Sequence, residues 1–219
     1  MMEMLLPATV VAVEAVDDIP GEKPFPGEED LIAKAVAERR REFITARRCA
    51  RTALRAFGYL DAPIRTGPER EPQWPAGMTG SITHCAGYRS AAVARIADMS
   101  LLGIDAELHG PLPDGVIERI ARPAEKDMLG RLGITHPGVH WGRLLFSAKE
   151  SVYKAWYPLT GRWLGFEEAD LRIEPESRTF RARLLVDGHR IGGGPALTEM
   201  TGRFAVGRGL ILTAVTVDR

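Results

Sequence analysis

Residues 101–107, Leu-Leu-Gly-Ile-Asp-Ala-Glu, constrain the fold more than any other stretch of the chain. An apolar run ending in acids two positions apart reads as a β-strand, because side chains at i and i+2 leave a strand from the same face. Asp105 and Glu107 would then form a two-carboxylate claw. Farther along, Phe146-Ser147-Ala148-Lys149-Glu150-Ser151-Val152-Tyr153-Lys154 reads as a helix, with Glu150 and Lys154 at i and i+4 on one face. Three carboxylates and two lysines on separate elements suit a divalent cation held against a polyphosphate. Hard Mg2+ takes oxygen ligands, keeps waters and shares its shell with substrate phosphates. Taken singly, each fragment is more often a solvated strand end or a surface ion pair worth a few tenths of a kcal/mol. Lysine usage favours a site. Only five of the 29 basic residues are lysine, and two of these, Lys149 and Lys154, fall in this helix. In an arginine-dominated chain, lysine marks positions that want a compact ammonium.

With 219 residues, 45% of them hydrophobic, the chain can bury a core as one large domain or two small lobes. The 29 basic and 29 acidic residues cancel, so bulk charge gives no reason to expect nucleic acid or a membrane surface as partner. Cys49 and Cys85 stand far apart with no Cys-x-x-Cys, which argues against structural zinc. Glu14 interrupts the apolar run Val10 to Val16 and no basic segment precedes it, unlike a secretory leader. No run approaches the ~18 apolar residues that a membrane span needs. A reduced, cytoplasmic protein is expected.

Residues 4–16 are predicted to form a strand, followed by a loop at Pro20, Pro24 and Pro26. Helical spacing begins at Glu28. A second helix carries the stripe Phe43, Ala46, Ala50, Ala53, Leu54 and Phe57, with Thr45 as an N-cap between the two. Seven arginines and one acid, Glu42, lie between residues 39 and 55. Most read as a solvated basic face. Arg47 differs, because a cation just after an N-cap would stand beside free backbone N–H groups that already favour an anion. Residues 59–73 are a proline-rich connector. Strands are predicted over 79–84, 91–96 and 101–107, and His109-Gly110-Pro111-Leu112-Pro113 as the junction between lobes. Residues 114–133 read as helical pieces exposing Met128 and Leu132. Pro137-Gly138 opposes a helical metal pair of His136 and His140. A helix from Val139 to Tyr157 precedes strands over 171–173, 179–186, 203–206 and 210–217. Gly192-Gly193-Gly194-Pro195 lacks the lysine and hydroxyl of a P-loop. Each half, 1–108 and 109–219, thus reads as helix plus strands.

In this order and spacing, Gly103-Ile104-Asp105-x-Glu107 and Phe146-x-x-Lys149-Glu150-Ser151-x-x-Lys154 resemble the signature of the 4′-phosphopantetheinyl transferases, in the monomeric surfactin- and enterobactin-synthetase-activating type. Trp74-Pro75-Ala76-Gly77-Met78-Thr79-Gly80-Ser81-Ile82-Thr83-His84 and Trp163-Leu164-Gly165-Phe166 are further matches, similar to the actinobacterial branch. The resemblance runs from about Glu38 to Phe166. It implies an α+β, pseudo-duplicated fold of two lobes, each a helix packed on a small, mostly antiparallel sheet, with the active site in the cleft between them. It also implies transfer of 4′-phosphopantetheine from coenzyme A to a serine of an apo acyl or peptidyl carrier protein, leaving adenosine 3′,5′-bisphosphate. On this reading Asp105, Glu107 and Glu150 bind Mg2+ and Glu150 is the general base. Lys154, with Lys149, meets the leaving phosphate, Thr83 and His84 touch the pyrophosphate, and Arg39 and Arg47 take the 3′-phosphate. A monomer with coenzyme A and a carrier protein as partners is expected, without nucleic acid or membrane. The lysine that the family usually places before Trp-Pro is missing. Arg65 and Arg70 are the candidates to replace it. Two other readings stay open: a coenzyme A binding module without transfer, and a metal-dependent phosphohydrolase.

Overall fold

The computed structural model describes residues 1–218. Its first half lays helix α1 (Ala37–Arg55) on a three-stranded antiparallel sheet of order β1-β3-β2, made of β1 (Val11–Ala15), β2 (Met78–Cys85) and β3 (Tyr88–Arg95). Small residues set the contact: Cys49, Ala50 and Ala53 let the helix sit close on Ala91 and Val93, with Leu54, Ile64 and Met78 closing the layer. α1 is one helix where two were expected. Thr45 lies buried inside it rather than capping it, because Phe43 and Ile44 must continue the helix to reach Ile32. The expected first helix is reduced to a 3-10 turn, Glu29–Ile32, and the expected strand over 4–16 to a 3-10 turn, Met2–Leu5, followed by β1. Arg47 is therefore mid-helix, and the free N–H groups proposed to stand beside it are absent.

The second half packs α2 (Val116–Ile120), α3 (Pro123–Thr135) and α4 (Trp141–Thr160) on a five-stranded antiparallel sheet of order β4-β8-β7-β6-β5. Its strands are β4 (Met99–Leu108), β5 (Ala169–Glu174), β6 (Thr179–Leu184), β7 (Glu199–Gly207) and β8 (Leu210–Asp218). α4 buries Leu144, Leu145, Ala148, Val152 and Trp156 against Leu171, Phe180, Ile211 and Val215, each large side chain contributing about 1.5 to 3 kcal/mol. Met128 and Leu132 join this core, so they are not the exposed pair the sequence suggested. α4 continues through Pro158 and stops at Gly161, whose φ of 62° lets its N–H reach the carbonyl of Tyr157.

β4 falls before residue 108 in sequence yet belongs to the second sheet, with Asp105 opposite Thr213 on β8. It is an edge strand there, as β2 is in the first sheet. The two edges meet through hydroxyls: Ile104 N–H donates to Ser81 Oγ (3.1 Å) and Ala106 N–H to Thr83 Oγ1 (3.0 Å). Across β4 lies α4. A Cβ on Gly103 would stand 2.1 Å from the Ser151 carbonyl oxygen and 2.7 Å from Ala155 N. The glycine is what lets this helix lie flat on this strand and brings Glu150 and Lys154 up to Asp105. Among the described residues no helix is long and apolar enough to cross a membrane, and Cys49 and Cys85 are unpaired.

Candidate active site

A cleft of about 410 Å³ opens where β2, β4, α1 and α4 converge. Asp105, Glu150 and Lys154 form its floor, Thr83 and His84 one edge, and Arg39, Phe43 and Arg47 the wall from α1. Lys154 Nζ donates to Asp105 Oδ1 at 2.7 Å, to the Ile104 carbonyl at 3.2 Å and to Thr83 Oγ1 at 3.5 Å. The other oxygen of Asp105, Oδ2, is buried without a partner. Glu150 makes none of the ion pairs that hold Asp105 and Glu107. Burial raises its pKa, the Lys154 ammonium draws it partly back, and the Asp105 charge adds to the rise. A desolvated carboxylate that makes no hydrogen bond or ion pair among the described residues, beside a carboxylate with one empty oxygen, is a donor pair suited to a hard cation that keeps waters and substrate phosphates.

Glu107 does not complete a ready-made cage. Its carboxylate accepts from Arg143 Nη1 at 2.9 Å, and among the described residues no three His, Cys, Asp or Glu side chains gather closely enough to hold a metal. Thr83 lines the cleft, but its hydroxyl donates to Asp105 Oδ1 (3.3 Å) and accepts from Ala106 N–H and Lys154. One donor and two lone pairs are all in use, so Thr83 positions Asp105 and Lys154 and has nothing left for a phosphate. Lys149 departs furthest from expectation. Its ammonium, 1% exposed, gives all three hydrogens to Glu125 Oε2 (2.9 Å), the Phe166 carbonyl (2.6 Å) and the Ala169 carbonyl (2.9 Å), inside the second half. It ties α4 to α3 and to the entry of β5.

The arginines sort by partner. Arg48, Arg51 and Arg55 pair with Glu22, Glu28 and Asp61. Arg47 pairs with no carboxylate: its Nε donates to the Ile64 carbonyl at 3.0 Å and its guanidinium lies 3.5 Å over the Phe43 ring. Burial, with neighbouring arginines, pushes its pKa down to about 10. Arg39, more exposed, contacts Glu42 at 3.5 Å and donates to His84 Nε2. That leaves Nδ1 to carry the imidazole proton toward Glu42 Oε2 at 3.2 Å. Burial and the surrounding cations push His84 down to about 3, so the ring is neutral. Arg65 is held by Asp30 through two hydrogen bonds of 2.6 and 2.7 Å, whereas Arg70, at a left-handed φ of 67°, lines the cleft. Sequence reasoning missed Arg143 and Glu125. Arg143 stands seven residues before Glu150 on the same helix, a spacing that returns to one face after two turns.

The first half matches the model of the 4′-phosphopantetheinyl transferase N-terminal domain over residues 27–94, and the second the 4′-phosphopantetheinyl transferase superfamily over residues 101–191. The chain is 50% identical over 220 residues to the 4′-phosphopantetheinyl transferase Svp of Streptomyces mobaraensis, covering 99% of this chain and 89% of that protein. It is also 50% identical over 222 residues to PptT of Mycobacterium tuberculosis, covering 97% and 96%. The chain belongs to the 4′-phosphopantetheinyl transferase family. Enterobactin synthase component D of Escherichia coli K12 is more distant, 36% identical over 120 residues, or 54% of this chain and 55% of that protein. As a phosphopantetheinyl transferase the protein uses coenzyme A as co-substrate and modifies carrier proteins. Among the described residues, two sheets and four α-helices agree with the two-lobe fold that the signature implies.

Proposed function

We propose that this phosphopantetheinyl transferase works with Mg2+, attaches the 4′-phosphopantetheine of coenzyme A to a serine of an acyl or peptidyl carrier protein and releases adenosine 3′,5′-bisphosphate. The observation that carries this reading is the meeting, in one cleft, of unpaired Glu150, half-satisfied Asp105 and the Lys154 ammonium, below a buried arginine that has no carboxylate partner. Asp105 and Glu150 are the residues to hold Mg2+, which when bound neutralises and orients the diphosphate. Glu150 takes the serine proton, and its raised pKa suits a base working near neutrality. The serine oxygen bonds to the β-phosphorus as the bond from that phosphorus to the bridging oxygen breaks. Lys154 faces the charge that the departing phosphate gains. Arg47, with Arg39 and neutral His84, receives the nucleotide's 3′-phosphate and the outer diphosphate oxygens. A second cavity of about 100 Å³, lined by Tyr153, Trp163, Leu164 and Phe166 next to Glu150, suits the pantetheine chain. Lys149, whose three hydrogens are all given to Glu125, Phe166 and Ala169, is proposed to hold the wall of that cavity and not to meet the phosphate. A monomer in the cytoplasm, as the resemblance implies, completes the proposal, and zero net charge gives nucleic acid and membrane surfaces no bulk electrostatic hold on it.

The test is intact-mass analysis of purified apo-carriers incubated with the protein, coenzyme A and Mg2+. A phosphopantetheine adduct is expected, and Glu150→Gln, folded as wild type, should form it at least ~10²-fold more slowly. Near-normal turnover by that variant overturns the assignment of the base. Coenzyme A hydrolysis without a carrier would instead favour the phosphohydrolase. Tight binding that ignores Mg2+ and yields no adduct would favour a binding module.

A further inference from the structure

Glu28 stands just before the 3-10 turn Glu29–Ile32 and is 0% exposed, so it can touch nothing that enters the cleft. Its Oε1 accepts two hydrogen bonds of 2.7 Å, one from Arg51 Nη1 and one from the backbone N–H of Ile64. Ile64 is thus held through its N–H, and its carbonyl is the acceptor that Arg47 Nε meets at 3.0 Å. The residue after it is fixed from the same segment. Arg65 Nη1 donates to the Gly27 carbonyl at 2.5 Å and to Asp30 Oδ1 at 2.6 Å. Both sides of the Ile64 carbonyl are therefore tied to residues 27–30. Arg51, about one turn after Arg47 on α1, gives its charge to Glu28 and stacks 4.4 Å over the Phe25 ring.

We propose that Glu28 is a positioning residue for coenzyme A: by holding Ile64 and Arg51 it fixes the carbonyl that aims the Arg47 guanidinium at the nucleotide's 3′-phosphate. The inference rests on the reading of Arg47 as the receptor of that phosphate. A guanidinium is a rigid, planar fork, so anchoring one edge sets the direction of the other. With Nε on Ile64 and one face on Phe43, Nη1 and Nη2 make no hydrogen bond among the described residues, and Arg47 lines the cleft. An arginine left to itself loses much rotamer freedom when it is ordered. Held in place before the ligand arrives, Arg47 loses less of it on binding. Glu28 also occupies Arg51, which keeps the neighbouring guanidinium from competing for the Ile64 carbonyl.

Titration calorimetry with coenzyme A and 3′-dephospho-coenzyme A tests this, the readout being the ratio of their two dissociation constants, with thermal melts to show that each variant is folded. A loss of stability alone lowers the fraction of protein that binds and leaves that ratio where it was. Glu28→Ala should cut the preference for coenzyme A by more than about threefold, the scale of one hydrogen bond. Glu28→Gln keeps an oxygen for both donors and should stay closer to wild type than to Glu28→Ala. In an Arg47→Met background Glu28→Ala should cut the preference no further, since the two act as one unit. A Glu28→Ala effect below about threefold overturns the proposal. So does a Glu28→Gln value nearer to that of Glu28→Ala, or a further loss above the same threshold in the Arg47→Met background. If Glu28→Ala does not fold, Glu28→Asp, which keeps the charge but is one methylene short of the two donors, decides by the same threshold. Arg47→Met weakening both ligands equally is a separate result, which removes the 3′-phosphate reading itself and this proposal with it.

Discussion

Arg47 should show that the cleft is built for its ligand at the expense of the free protein. A guanidinium held near 10, well below the ordinary arginine range, keeps its charge at a cost of about 3 kcal/mol, at about 1.4 kcal/mol per pH unit. That penalty is complete at every pH below the folded value, neutral pH included. At 6% exposure solvent does little to relieve it. Against it stand one charged hydrogen bond to the Ile64 carbonyl, about 1.5 kcal/mol, and the stacking on Phe43, about 1 kcal/mol. The terms nearly cancel. Arg47→Met, which also restores apolar packing, should change stability by less than about 1 kcal/mol, a shift within about 4 °C for a chain of this size. Coenzyme A should nonetheless bind about 1.5 to 3 kcal/mol more weakly as its charged hydrogen bonds are lost, and 3′-dephospho-coenzyme A much less so. Thermal melts and titration calorimetry with the two ligands measure both halves. A stability loss above about 2 kcal/mol, or equal affinity losses for the two ligands, would refute the reasoning.

Lys149→Met leaves Glu125 buried without its cation and should cost about 3 to 5 kcal/mol in urea unfolding; a loss below 1 kcal/mol would contradict its structural role. Gly103→Ala puts a Cβ into the Ser151 carbonyl, so α4 must lift from β4 at about 1 to 3 kcal/mol, and turnover should fall in the fraction that remains folded. Wild-type turnover per folded molecule would contradict this. His84 has a folded pKa near 3 against about 6.5 unfolded, so between those values the unfolded chain binds the extra proton and stability is lost as the pH is lowered, by at most about 1.4 kcal/mol per unit. Unfolding between pH 7.5 and 4.5 should show that slope flattened in His84→Gln, and identical slopes would refute it.

β5, β6 and β7 were legible because buried and open positions alternate along them, β3 and β4 because they are nearly unbroken buried runs, and Asp105 and Glu107 do leave β4 on one side. What that periodicity does not encode is the far partner of each acid. Asp105 meets Lys154 and Glu107 meets Arg143, contacts spanning 49 and 36 residues of chain. The break at Thr45 was misread because a threonine that suits a cap also suits a buried helix position when its neighbours, Phe43 and Ile44, are needed by a core the local sequence does not show. The two lysines were separable in principle. Five residues apart on a helix, Lys149 and Lys154 point about 140° away from each other, so only one can share the face of Glu150. β4 was placed with the first lobe because its partner, β8, lies near the other end of the chain.

That placement of β4 explains why the site needs both halves. Two edge strands side by side would normally merge into one sheet through their backbones. Here Ser81 and Thr83 interpose hydroxyls, so the edges of β2 and β4 are bonded yet remain separate. The gap keeps Asp105 at the cleft instead of inside a continuous sheet and leaves its Oδ2 buried without a partner, while Thr83 bonds Oδ1 and receives Lys154. Thr83→Val would remove one acceptor from Ala106 N–H, one from Lys154 and one donor to Asp105, with almost no change of shape. The residues that would hold the metal and meet the departing phosphate sit on α4 and β4, but a hydroxyl from the other sheet fixes their relative position. The signature strand and helix of the second half therefore depend for their geometry on the threonine before His84 in the first.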